Sequence, residues 1–425
     1  MKKYLLVCLI SLVILTLSFV AVSQEKEISI LLTGSPLADV METLQDDFEK
    51  ETGIKVNVEI VGYEDTHTKG ILDLVSGTNN YDLLMVDNPW IAEYVQTGNL
   101  LVLDEFMAKE DPEYLAGFDK AVLDAYGLYE GKYYGYPIML TTTILFYRSD
   151  LFEQYGKKAP ETWDEFNEIA KFFTQSFNPE SPVKYGISIA GERGDGAISQ
   201  WLPLLWGYGG SVFDKDWNVT LNTPEALKAL EAFVESAQYS APGFGTNYFP
   251  EQVAHFTNGE IAMMENWDAF AGDVADPVKN PYAENTAYAS IPGKYPLLGG
   301  WALSINKNSK DLDSAYTFLR WACGPEVTKK SLEVSISTPI RIDVAQDPEV
   351  KAIVPWVDVV YEEFKNIRKY AETYQGGQIL IPEAEYHVLL GTAINEALTG
   401  QLSAKDALAK AQKDIEDLLK KHGYK

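Results

Sequence analysis

Ile54, Val56, Val58 and Ile60 alternate with Lys55, Asn57 and Glu59, the period of two that marks a strand with one buried and one wet face. Upstream the period lengthens. Val40, Leu44 and Phe48 recur every four residues behind Ser35-Pro36, a hydroxyl at the N-cap with proline in the first helical position, until Gly53 closes the helix. Residues 27–32 read as a strand before that helix. After the alternating run come a helical stretch over about 66–76 and a strand over 81–86 (YDLLMV), continuous in its apolarity and therefore central. Strand, helix, strand, helix, strand is the order of an open α/β sheet. Ligands in such sheets sit beyond the carboxyl ends of the strands, which nominates 33–35, 62–67 and 87–90 as site segments.

The longest apolar run, 138–147, is rich in threonine and follows a tight turn at Glu130-Gly131-Lys132 and then Tyr136-Pro137. As a strand rising about 3.3 Å per residue it spans roughly 30 Å, long enough to leave one globular unit and enter another. The chain then restarts with Thr162-Trp163-Asp164-Glu165, whose threonine and glutamate have capping-box spacing. Farther on, 184–189 reads as a strand and 200–206 as a helix closing on Gly207, Gly209 and Gly210. Thr223-Pro224-Glu225 opens a helix on Leu227, Leu230, Phe233 and Val234, and 256–264 is a short helix running into a strand that ends at Asn266-Trp267. The segment 289–305, with Pro292, Pro296 and Gly299-Gly300-Trp301, is the expected return crossing, and Ser337-Thr338-Pro339 a third. A helix over 311–321 and an amphipathic tail helix from Ser403, on Leu408, Ala411, Ile415 and Leu418, complete the pattern.

Length and composition add constraints. A chain of 425 residues exceeds what one core usually serves, so two lobes are expected, and 46% hydrophobic content supplies them. Residues 1–23 carry Lys2 and Lys3, an uncharged apolar run and Ala21-Val22-Ser23, the three regions of a secretory signal peptide. Cleavage would leave a soluble protein in a compartment such as a periplasm, with Cys323 as its sole cysteine, so packing and not a disulfide must hold it. A net charge of -27 provides no basic face for nucleic acid.

Catalytic signatures are missing from the sequence. The histidines (His67, His255, His387, His422) are scattered, and there is no HExxH, GxSxG, GxxxxGK[ST] or GxGxxG pattern, so no metal centre or cofactor is expected. Asp214, Asp216, Asn218 and Glu225 fall at positions of a calcium loop, yet Val219 stands where the sharp turn wants glycine, and a plain hairpin turn competes with calcium there. What stands out is Trp90, Trp206, Trp267 and Trp301 at strand ends and glycine turns, near Asp or Asn side chains. A neutral, hydroxyl-rich ligand wants a flat apolar face with carboxylate or amide acceptors at its rim. Asp87, directly after the central strand, is the leading acceptor; Ser35, His67, Thr142, the Gly300 turn and Arg341 complete the candidate ligand site.

In order and spacing, FEKETGIKVNVEIV, SGTNNYDLLMVDNPWIAEYVQTGNLLVLDEF, GKYYGYPIMLTTTILFYRSDLFEQYGKKAPETWDEF, LWGYGGSVFD, FTNGEIAMMENW and GGWALSINKNSKDLDSAYTFLRW resemble the carbohydrate-type extracellular solute-binding proteins of ABC importers. The pattern departs at Tyr147-Arg148, where the family often has asparagine or aspartate after tyrosine. The resemblance implies a two-lobed periplasmic-binding-protein-like α/β fold, each lobe an open sheet flanked by helices, joined by hinge strands. Lobe boundaries are expected at 24–140 with 299–336 and at 141–298 with 337–425. It also implies that Asp87 and Trp90 face the cleft from the first lobe, and Trp206, Trp267 and Gly300-Trp301 from the second lobe or hinge. The expected protein is a monomer that captures a sugar, oligosaccharide or polyol, without converting it, and docks on a membrane permease. Polyamine or iron receptors of the same architecture, and a secreted glycoside hydrolase, are the rival functions.

Overall fold

The computed structural model describes residues 26–370 and 383–423, so the expected signal peptide lies outside the described residues. The N-terminal half follows its local signals closely. Strand β1 (Lys26–Thr33) leads into helix α1 (Pro36–Thr52), where the Ser35 hydroxyl accepts the Ala38 N–H and Gly53, at φ +70°, donates its N–H to the Glu49 carbonyl. Strand β2 (Ile54–Val61), helix α2 (Tyr63–Ser76) and strand β3 (Leu83–Asp87) follow. Both β2 and β3 pair with β1 in parallel. The unbroken apolarity of β3 has a simple cause: Leu83 and Met85 enter one apolar cluster, while Leu84 and Val86 enter another on the opposite face with Leu31, Trp90 and Tyr94.

A short hairpin, β4 (Leu128–Tyr129) and β5 (Lys132–Tyr133), precedes the 14-residue strand β6 (Gly135–Arg148). Three more strands, β7 (Met263–Trp267), β8 (Thr286–Ala289) and β9 (Leu298–Ile305), arrive later in the chain. Among the described residues the main sheet runs β2-β1-β3-β9-β6-β7, with β8 also on β6. From Gly135 to Thr142 the crossing strand pairs antiparallel with β9; from Thr143 onward it pairs with β7, and from Leu145 also with β8. The exchange of partners falls between two threonines. A register shift between Pro137 and Met139 sits where proline has no N–H for the ladder.

Two large cores pack against the sheet, the first running past the exchange to Ile144, Phe146 and Met264. One gathers Ile30, Leu83, Tyr136 and Phe318; the other gathers Trp163, Trp201, Phe213 and, from the C-terminal helices Glu383–Leu398 and Ala404–Lys421, Leu390, Ile394 and Ile415. The segment 340–364 touches elements on both sides. Its Ile340, Val344, Trp356 and Phe364 join the first core, Trp356 packing on Tyr288 of β8, whereas the Glu363 carboxylate accepts the N–H of Ile291, a residue of the second core.

One expected strand differs, and the run 213–219 takes the hairpin turn that competed with calcium. Residues 184–189 form single bridges, Tyr185 with Ile261 and Ile187 with Ser240, because successive N–H groups go to different neighbours: Tyr185 to the Glu260 carbonyl, Gly186 to that of Tyr239. The calcium-like run is a turn whose Asp214 carboxylate accepts the Asp216 and Asn218 N–H groups at 2.8 and 2.9 Å, with Trp217 at φ +65°. No helix among the described residues is long and apolar enough to cross a membrane.

Candidate ligand-binding cleft

β3 ends on Asp87, which lies opposite Trp301 of β9. Its Oδ1 accepts the Asn88 N–H at 2.8 Å, capping the short turn Asn88–Trp90, and its Oδ2 accepts the Tyr63 hydroxyl at 2.9 Å. Tyr63, the first residue of α2, is 43% exposed. Trp90 lies beneath it, only 6% exposed. Ring centroids of Tyr63, His67 and Trp301 stand 4.8, 4.9 and 5.2 Å from the Trp90 ring. His67 adds a 2.8 Å contact from Nε2 to the Glu93 carboxylate. The sequence-predicted Asp87, Trp90, Trp301 and His67 are therefore brought together, and Tyr63, inside the nominated segment 62–67, is the member that sequence reasoning did not single out. Ser35 spends its hydroxyl as a cap and on the Thr33 carbonyl at 3.1 Å.

On the other side β7 ends on Trp267, opposite Thr143. This indole is 8% exposed, edge-on to Phe249 at 5.9 Å, and so close to β9 that a Cβ on Gly299 would lie 2.8 Å from its ring. Next to Phe249, Tyr248 is 39% exposed and donates its hydroxyl to Asp195 Oδ2 at 2.7 Å. Asp195 Oδ1 also accepts from Tyr370 at 2.9 Å and from Ser199 at 3.2 Å. Asp195 opens the helix Asp195–Gly207, whose N-terminal N–H groups favour a carboxylate there.

Electrostatics link the two sides. Burial is the main cause that holds the Tyr248 proton well above its ordinary range, and the charges of Asp195, Glu192 and Asp87 add to it, so the first-side carboxylate acts on the second-side phenol. Burial likewise raises the Glu192 carboxyl, with Asp195 reinforcing the shift. Neither Asp195 nor Tyr248 carries a motif; only their positions at helix starts, shared with Asp87 and Tyr63, offered a signal.

Between the two sides lies the hinge. Asp268, directly after β7, accepts the Thr141 hydroxyl and the Thr142 N–H, each at 2.7 Å, and a short hydrogen bond from Thr338. Trp356 Nε1 donates to that Thr338 hydroxyl at 2.9 Å. Burial pushes the Asp268 carboxyl up to about 6, while these hydrogen bonds hold it from rising further.

Four expected ligand contacts are corrected by this geometry. Thr142 is fully buried, its hydroxyl donating to the Leu297 carbonyl at 2.9 Å. Gly300 serves the backbone: it sits at φ +83°, and a Cβ there would lie 2.7 Å from the Tyr126 phenol oxygen and collide with the Met139 carbonyl. Trp206 is 3% exposed with the Arg368 guanidinium 4.9 Å over its ring, so its face is already covered. Arg341 is 1% exposed, donating to the Tyr114 carbonyl at 3.0 Å and to Asp343 at 2.7 and 3.0 Å, and packs on the Tyr114 and Phe118 rings. A guanidinium so engaged belongs to the first core.

Known proteins with this architecture sharpen the picture. The family profile described as bacterial extracellular solute-binding protein matches residues 34–329. A mannitol-binding protein of Pseudomonas aeruginosa is 29% identical over 315 residues, 69% of this chain and 71% of that protein. An ABC transporter solute-binding protein from Agrobacterium radiobacter K84, solved in complex with ribitol, superposes with a TM-score of 0.78 at 26% identity, covering 92% of this chain and 98% of that one. One from Agrobacterium vitis S4 with bound D-mannitol gives 0.77 at 25% identity, covering 94% and 99%. The parallel β1 to β3 unit, the crossing strand and the profile across most of the chain lead to one conclusion: the protein belongs to the bacterial extracellular solute-binding proteins, with their two-lobed α/β fold.

Proposed function

We propose that this protein captures a neutral, hydroxyl-rich solute, a sugar or a polyol, between Asp87 and Tyr248 and delivers it unchanged to an ABC permease. One observation carries the proposal: a phenol–carboxylate pair on each side of the hinge, Tyr63 with Asp87 and Tyr248 with Asp195. Ionised carboxylates only accept hydrogen bonds, so they suit a ligand that offers donors. Ligand that bridges the pairs binds the closed form better than the open one and shifts the population toward it. The ligands of the mannitol-binding relative and of the ribitol and mannitol complexes support the same class.

Residues 1–23 direct export and are removed, placing a soluble monomer in the periplasm, which fits a family of extracellular binding proteins. Of the expected lobes, 24–140 with 299–336 and 141–298 with 337–425, the exchange of β6 partners beyond Thr142 supports the first boundary, while 340–364 is read with the first lobe because Ile340, Val344 and Phe364 join its core.

Thermal melting of residues 24–425 against sugars, polyols, spermidine and ferric ion tests the function. A ligand at 100 times its dissociation constant adds about 2.7 kcal/mol of stability. A carbohydrate or polyol that raises the melting point and is recovered unchanged supports the proposal. Stabilisation by spermidine or iron alone, or turnover of the carbohydrate, overturns it.

A further inference from the structure

We propose that the cleft selects an open-chain polyol over the corresponding ring sugar, and that Asp195, held by Tyr248, is the residue that makes the selection. The inference rests on the binding function proposed above and narrows its ligand class.

The aromatic residues provide the first argument. A sugar ring is held best against an open, flat aromatic face. Trp90 is covered by Tyr63, His67 and Trp301, Trp206 by Arg368, and Trp267 by Phe249 and the Gly299 backbone. Trp301 meets Tyr63 at 80° and Trp90 at 83°, so these rings form a corner of edges instead of a platform. Of the aromatic rings here, those of Tyr63 and Tyr248 are the more open, and both are turned by hydrogen bonds from their hydroxyls to carboxylates, so no broad indole face is presented for stacking. Recognition then falls to hydrogen bonds.

The acceptors provide the second. Asp195 is fixed from three directions, by Tyr248, Tyr370 and Ser199, and Asp87 by Tyr63 and the Asn88 N–H. Each carboxylate oxygen has two acceptor positions, so one phenol donor leaves Asp195 Oδ2 able to accept a ligand hydroxyl. An extended chain with a hydroxyl on every carbon can turn neighbouring hydroxyls toward both carboxylates by rotation about its C–C bonds. A pyranose or furanose ring fixes those directions and is held best on a broad indole face, whereas Trp90, Trp206 and Trp267 are buried. Because Asp195 is already oriented, little ordering is left to be done when the ligand arrives.

Calorimetric titration of residues 24–425 with matched pairs, D-mannitol against D-mannose and ribitol against D-ribose, tests both parts. The expected result is at least a ten-fold preference for one polyol over its ring partner. In Asp195→Asn that polyol binds roughly ten- to hundred-fold weaker and the preference shrinks, since a hydrogen bond to an ionised acceptor is lost. Tyr248→Phe, which keeps the carboxylate but loosens it, gives a smaller loss in the same direction, and the ligand-free melting points of both variants confirm that they fold. Equal or tighter binding of the ring forms overturns the ligand class. An unchanged preference in both folded variants overturns the role of Asp195. If no hydroxylated probe binds while spermidine does, the underlying function fails as well, an outcome distinct from either.

Discussion

The Asp268 carboxylate accepts the Thr142 N–H at 2.7 Å, tying the residue that follows β7 to the point where β6 exchanges β9 for β7. The same carboxylate accepts the hydroxyls of Thr141 and Thr338, so two hinge segments meet on one buried group. Replacing it with alanine leaves a buried N–H and two hydroxyls without their acceptor. We expect Asp268→Ala to cost about 3 to 5 kcal/mol in urea unfolding, at the upper end for a single site. A loss under about 1 kcal/mol would show that water replaces the carboxylate freely.

Two buried carboxyls give stability a specific pH dependence. Burial raises Asp268 to about 6 and Glu363 to about 7. Each group is protonated more readily in the folded chain, so the folded state holds the extra proton across the window between its unfolded and folded values. Their contribution is complete below about pH 4 and disappears as pH rises through about 6 for Asp268 and about 7 for Glu363. Glu363→Gln, which resembles the protonated form, should flatten the upper part of that fall when urea midpoints are compared with the parent at each pH. A profile parallel to the parent would count against this assignment.

At Gly300 both conformation and space oppose a side chain. Gly300→Ala should lose about 2 to 4 kcal/mol of stability, from the positive φ and from the collision with the Met139 carbonyl together. Chemical denaturation reads this directly. A variant that keeps full stability but loses ligand affinity would instead return the glycine to the ligand site.

Arg341 makes a contrasting prediction. Arg341→Met removes a buried cation that two aromatic rings and Asp343 hold in place; since Asp343 is 42% exposed and no buried charge is stranded, it should cost about 1 to 3 kcal/mol. Ligand affinity, measured well below the melting temperature, should stay within about two-fold, less than any lost contact would give. Loss of affinity at unchanged stability would contradict its place in the core.

Tyr63 behaves in the opposite way. Being 43% exposed, Tyr63→Phe should change stability by no more than about 0.5 kcal/mol. Freed from the phenol, Asp87 is less well oriented, and ligand binding should weaken about ten-fold, close to one hydrogen bond. Calorimetry on the variant separates the two effects.

What could be read in the residues divides along a physical line. The caps of α1, the alternation of β2 and the length of β6 arise from backbone hydrogen bonds and side-chain periods within a few residues, and all of them stand in the fold. The order of the first strands and helices follows from those local signals, and the family's architecture with it. Trp90 and Trp301, read at a strand end and a glycine turn, do come together beside Asp87. How much of each indole is covered was not legible, because Arg368 reaches Trp206, and Phe249 reaches Trp267, only after the chain has folded back. Arg341 looked like a cleft donor for the same reason: nothing near it in sequence announces the Tyr114 and Phe118 rings.

Asp87 was legible after its strand, but Asp195 and the hinge carboxylate Asp268 lie on the far side of that line. Asp195 meets Tyr248 from 53 residues away and Tyr370 from 175, and Asp268 meets Thr141 from 127. Local chemistry decides that a strand, a cap or a turn forms, since its partners are neighbours in the chain. Which carboxylate stays at a surface and which is locked into a hinge depends on the route the chain takes between them, and that route is settled by burying two cores at once.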